Sequence, residues 1–157
     1  MVTNKTVFFV VGILLLILGI FMLIPYGIQI LYKENSNSFF SSSIITIFIG
    51  ILTILSTLKR DNQLNLQQAF LFSTMAWVSV AFFGSIPFFL SNLGLNFSEA
   101  FCESMSGITS TGSTVISNFE ETPKSILMWR AIMQWLGGVG IIAVSYTHLT
   151  LPTTPYV

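Results

Sequence analysis

"SGITSTGSTV", residues Ser106–Val115, interrupts an otherwise apolar chain: eight of its ten residues are Gly, Ser or Thr and none is charged. Apolar sequence flanks it on both sides, so the fold turns on whether it is an ordinary surface loop or a segment that enters the membrane. The chain has 157 residues, 53% hydrophobic and 8% charged, with 15 Phe. Soluble domains carry about 25% charged residues. With a mean hydropathy of +0.81, the composition belongs to the membrane class. Formal net charge is zero and the basic residues are scattered, which excludes the clustered positive face that nucleic-acid binding requires. Cys102 is the single cysteine. An intrachain disulfide is excluded, no Cys pair offers a zinc or iron–sulfur site, and Cys102 reads as a plain packing residue.

Working outward from the polar stretch, four apolar segments can be drawn: 7–31, 39–58, 66–90 and 126–144. Each is roughly 19 to 25 residues long, and a helix rising 1.5 Å per residue needs about 20 to cross about 30 Å of hydrocarbon. All four are expected to span. A cleaved signal peptide is the rival reading of the first segment, but its apolar run exceeds the usual length and no small-x-small site follows. Four crossings put both termini on one side, with Lys5, Lys59 and Arg60. Lys33 and Lys124 lie on the other, with Arg130 just inside the fourth segment, and the count leans toward a cytoplasmic N-terminus. Glu34, Glu99, Glu103, Glu120 and Glu121 fall on the presumed outer side, where they would attract cations to a mouth, Glu34, Glu120 and Glu121 reading equally as solvated loop charges.

"FFGSIPFF", residues Phe82–Phe89, carries Gly84 and Pro87, and Pro25 with Gly27 marks the first segment. Such positions loosen a helix and are expected to pack against protein rather than lipid. Ahead of the polar stretch, Asn96 or Ser98 can cap a short helix of about ten residues, helped by Glu99 and Glu103, with Gly107 as the residue able to turn left-handed at its end. At about 15 Å it cannot span. Its Phe97, Phe101, Met105 stripe suits either a surface helix or one that dips in and returns.

A returning segment must hand its unpaired backbone groups to protein or to a water-filled path. Ion filters do this with rows of carbonyls that replace the hydration of the ion. Thr109, Ser110 and Thr111 could present such carbonyls, Gly112 could take a positive φ to keep them aligned, and the C-terminal end of the short helix would favour a cation. Gly/Ser/Thr clusters also form plain loops. From these residues alone both readings stand.

"FCESMSGITSTGSTV" together with "RAIMQWLGGVGII", Arg130–Ile142, resembles the membrane subunit of the TrkH/KtrB potassium uptake superfamily, most of all its TrkH branch. The resemblance covers roughly residues 1–144. It implies an all-α membrane protein with four transmembrane helices plus one re-entrant pore helix and filter loop, the first pore unit of a pseudo-fourfold channel-like fold. Residues 1–63 would form a leading transmembrane pair and 64–144 the first helix, pore-helix (97–106), filter, helix unit. Thr109, Ser110, Thr111 and Gly112 would form one of four filter strands, holding K⁺ through the carbonyls of Thr109, Ser110 and Thr111. The resemblance further implies a bacterial cytoplasmic membrane, a homodimer in the full-length form, a cytoplasmic nucleotide-binding regulatory subunit, and transport without enzyme chemistry or cofactor.

"WLGGVG" lacks the spacing of a nucleotide loop and reads as helix packing through small residues. Arg130 and Gln134, one turn apart, are functional candidates by their cost in hydrocarbon, although Arg130 could equally snorkel as an anchor. From Val144 the sequence turns to "VSYTHLTLPTTPYV", so 145–157 reads as a non-native tail and a fragment is expected. His148 lies in it and is given no role. Two further classes fit the composition, a noncatalytic assembly or anchoring protein and a membrane-embedded enzyme. The enzyme would need paired titratable groups at membrane depth, which the segments lack.

Overall fold

The computed structural model describes residues 5–34, 36–58 and 66–149, with the side chains at 66–70, 141 and 143–149 outside the description. Within this range the regular structure is helical: α1 Lys5–Phe21, α2 Leu23–Leu31, α3 Ser38–Ser56, α4 Leu66–Phe89, α5 Phe97–Ile108 and α6 Lys124–Leu149. Lys59, Arg60 and Asp61, which entered the charge count, lie outside the described residues, as does the tail beyond Leu149.

The first expected segment is divided at Met22, between α1 and α2. Pro25, four residues beyond Phe21, has no N–H to return to the Phe21 carbonyl, and the ladder loosens there. Met22 keeps helical angles (φ −63°, ψ −20°), so α1 and α2 still run as one 27-residue apolar span.

Among the described residues three helices are long and apolar enough to cross a membrane: Lys5–Leu31, Ser38–Ser56 and Leu71–Phe89. Four were expected. The fourth expected segment, 126–144, lies in α6, which has 26 residues, and its side chains at 141 and 143–144 are outside the description. The helix also continues through 145–149, so the change of composition at Val144 does not end it.

α1 packs along α3 with little between the two backbones. A Cβ on Gly12 would lie 3.1 Å from the Gly50 carbonyl oxygen, and one on Gly50 would lie 3.1 Å from that of Gly12; small residues allow this close approach where apolar burial supplies no net drive. Within α3 most hydroxyls turn onto their own helix: Ser42 donates to the Ser38 carbonyl (2.6 Å), Thr46 to Ser42 (2.8 Å) and Thr53 to Ile49 (2.7 Å), while Ser38 at its start accepts from Gln29 Nε2 on α2. A helix rich in Ser and Thr thereby spends most of its polar groups internally, as hydrocarbon demands. Outward-facing Ile17, Ile20, Phe48 and Leu55 remain exposed.

The core gathers where α4, α5 and α6 meet. Trp129 and Phe88 are wholly buried, and Trp129 donates from Nε1 to the Gly84 carbonyl at 3.0 Å. Ser85 and Pro87 are buried too, so the "FFGSIPFF" segment does pack against protein. Ser104 on α5 donates to the Ala81 carbonyl on α4 at 2.7 Å. Cys102 differs from expectation, being exposed on α5.

Candidate ion-conducting strand

α5 is 12 residues long, about 18 Å at 1.5 Å per residue. The Asn96 N–H donates to Glu99 Oε2 at 2.8 Å, the backward half of a capping box. Glu99 therefore serves a helix start. Glu34 does likewise for α6, accepting from the Ser125 N–H at 3.3 Å and from the Ser125 hydroxyl. Glu103 is 1% exposed and ion-paired. Of the five carboxylates on the presumed outer side, Glu120 and Glu121 are exposed; the other three are committed to backbone, to the Ser125 hydroxyl or to Arg130.

α5 ends later than expected. Gly107 stays helical and is buried against α6, where a Cβ on it would sit 3.1 Å from Met133 Cβ. The left-handed residue is instead Ser110, at φ 56°. The Ser110 N–H returns to the Gly107 carbonyl (3.0 Å) and the Thr111 N–H to the Ser106 carbonyl (3.1 Å), the paired closure of a Schellman ending. A left-handed serine costs about 1–2 kcal/mol, offset here by its hydroxyl, which donates to the Gln134 carbonyl on α6 at 3.1 Å.

Beyond this turn, residues 111–118 have no regular secondary structure. Gly112 has φ 77°, the conformation for which glycine is suited. Thr109 and Thr111 join hydroxyls at 2.8 Å, and the side chains of Thr111 to Val115 are exposed.

The stretch is held from behind by two charged residues. Glu103 accepts from the Thr114 hydroxyl (3.2 and 3.1 Å to its two oxygens) and from the Val115 N–H (2.9 Å). Arg130 Nη1 lies 3.0 Å from Glu103 Oε1, off the line of a directed hydrogen bond, so this contact is an ion pair. Arg130 Nη2 donates to the carbonyls of Gly112 and Ser113, both at 3.2 Å, while its guanidinium lies 5.4 Å from the centre of the Phe119 ring. Ser106 adds a 2.6 Å bond to the Ser113 carbonyl. Extended backbone without helical partners thus finds a carboxylate for a donor and a guanidinium for two acceptors. The charges cancel, which makes their burial affordable.

α6 reaches this region through its glycines. A Cβ on Gly137 would fall onto the Ile108 carbonyl, with the carbonyl carbon only 2.7 Å away. Of the "WLGGVG" cluster, this glycine has the packing role read from sequence. Arg130 is a tie to the strand rather than an anchor reaching for the membrane surface.

Thr109, Ser110, Thr111 and Gly112 therefore lie together at the end of α5, against α6. Sequence reasoning missed the pairing of Glu103 with Arg130 and the turn at Ser110; the available signal was a Glu and an Arg within apolar sequence, each in need of a partner. Among the described residues no group of three His, Cys, Asp or Glu side chains could hold a metal ion.

Residues 35–154 match the family described as "TrkH: Cation transport protein". The chain is 39% identical over 137 residues to an uncharacterized cation transporter of Methanocaldococcus jannaschii, covering 87% of this chain and 28% of that protein. It is 38% identical over 141 residues to the Trk system potassium uptake protein TrkI of Halomonas elongata, covering 89% and 29%. The crystal structure of the potassium transporter TrkH from Vibrio parahaemolyticus superimposes with a TM-score of 0.89 at 31% identity, over 94% of this chain and 32% of that one. The chain spans less than a third of the length of these relatives. With the apolar helices and the family match, it is a multi-pass membrane protein that belongs to the TrkH family of cation transport proteins.

Proposed function

We propose that this chain supplies one strand of a cation-selective path, and that the protein to which it corresponds takes up K⁺ across the bacterial cytoplasmic membrane. The observation that carries this is the division of labour in the strand. The N–H groups of Thr109, Ser110 and Thr111 all return to α5, while among the described residues no hydrogen-bond donor meets their carbonyls. Oxygens so left can replace the hydration of an ion. In this reading α5 is a pore helix that enters the membrane and the strand returns from it, K⁺ lying against the carbonyls of Thr109, Ser110 and Thr111 with Gly112 holding the turn. The relatives that are named potassium uptake proteins support K⁺ as the cargo.

Residues 1–63 then form a leading pair, 64–144 one pore unit and 145–157 a tail outside it. Three equivalent units complete the ring in the full-length protein, which works as a homodimer with a cytoplasmic nucleotide-binding subunit and keeps its N-terminus in the cytoplasm. Inward movement needs no covalent step. Each K⁺ gains roughly 2.3 kcal/mol per 100 mV of inside-negative potential. The full-length gene, expressed in cells without their own uptake systems, should restore growth at low external potassium; no growth at normal membrane levels overturns the proposal.

A further inference from the structure

Two rows of carbonyls follow one another along the strand and are treated differently. Those of Thr109, Ser110 and Thr111 take no hydrogen bond among the described residues, whereas those of Gly112 and Ser113 take Arg130 Nη2 at 3.2 Å each, Ser113 taking Ser106 as well. The boundary falls between Thr111 and Gly112.

We infer that Arg130 is a positioning residue that sets the outer end of the ion path on this strand, by withdrawing the Gly112 and Ser113 oxygens from the row that faces the ion. The inference rests on the reading of this strand as part of a filter. A bare cation so close to the path would repel K⁺. Glu103, 3.0 Å from Nη1, cancels that charge, so the guanidinium offers donors to the strand without a net field. Arginine suits the task because its planar fork faces a carboxylate with one nitrogen and reaches neighbouring carbonyls with the other. Lysine concentrates its donors at one point and cannot serve both sides in the same geometry. The carboxylate in turn fixes the strand beyond the boundary through Thr114 and Val115. Selectivity depends on how many carbonyls meet the ion and how they are held, so release of the Gly112 oxygen alters it even when the protein remains folded.

The test uses the full-length gene in potassium-uptake-deficient cells, with K⁺ over Na⁺ preference measured from competition for ⁸⁶Rb⁺ uptake at matched membrane levels. Arg130→Lys should lower that preference about tenfold, the factor corresponding to about 1.4 kcal/mol, close to one net hydrogen bond. A second variant exchanges the pair, Glu103→Arg with Arg130→Glu. It keeps a neutral pair but turns an acceptor toward the two carbonyls, so membrane levels should recover and the preference should not. Recovery of both means that pairing alone matters and overturns the inference, as does an unchanged preference in Arg130→Lys. If neither variant reaches the membrane while Gly112→Ser does, the pair is a folding element and the inference falls. An unchanged preference in Gly112→Ser removes the filter reading itself, so the two failures are distinguishable.

Discussion

The α1–α3 pair and the α5–strand–α6 unit face the same solvent and meet its demands in opposite ways. In the pair, the Ser42, Thr46 and Thr53 hydroxyls of α3 turn onto their own helix, and the helices meet through bare backbone at Gly12 and Gly50. Such elements could sit in lipid singly; their contact is a matter of shape. The strand has no ladder of its own and draws on Glu103, Ser106, Gln134 and Arg130 from two different helices. Irregular backbone in a membrane is therefore bound to its neighbours by charge and hydrogen bonding, and the two halves should differ sharply in what substitutions do to them.

Glu103→Ala should have the largest effect, about 3–5 kcal/mol, because it leaves the guanidinium without its counter-charge; unfolding of the detergent-solubilised protein followed by tryptophan fluorescence measures it. A loss under about 1 kcal/mol would mean that the strand does not depend on this pair. Next comes Gly137→Ala, at about 3 kcal/mol, where the added methyl collides with the Ile108 carbonyl and α5 must shift; the same unfolding assay should show it, together with reduced accumulation in the membrane. Gly50→Ala in the leading pair should cost less, about 1–2 kcal/mol, since two straight helices can slide apart where a helix end pinned to a turn cannot. The smallest change is expected for Thr53→Val, within about 0.6 kcal/mol, the size typical of a single side-chain bond in a membrane bundle. If Thr53→Val rivals Glu103→Ala, the contrast between the two halves is wrong.

The apolar segments, the half-length helix and the polar stretch after it were all legible, because length and composition act locally and the membrane amplifies them. Pro25 was visible as a loosening point, and its missing N–H explains the division at Met22. What was not legible depended on distance along the chain. Glu103 pairs with a residue on another helix, and Glu34 reaches across 91 positions to Ser125; no periodicity encodes either contact, so both carboxylates were grouped with the outer charges. The misplaced helix end has a different cause. Gly107 has the conformational freedom to turn, but the left-handed residue is Ser110, whose hydroxyl is tied to the Gln134 carbonyl on α6, a tertiary contact that overrode intrinsic preference.

The ending of α5 has one more consequence, which follows from the peptide group itself. A trans peptide is flat, with its N–H and the preceding C=O pointing in opposite directions. The N–H groups of Ser110 and Thr111 point back to Gly107 and Ser106, so the oxygens of Thr109 and Ser110 must point away from α5. No side chain has to push them. The way the helix stops is also the way two oxygens are aimed.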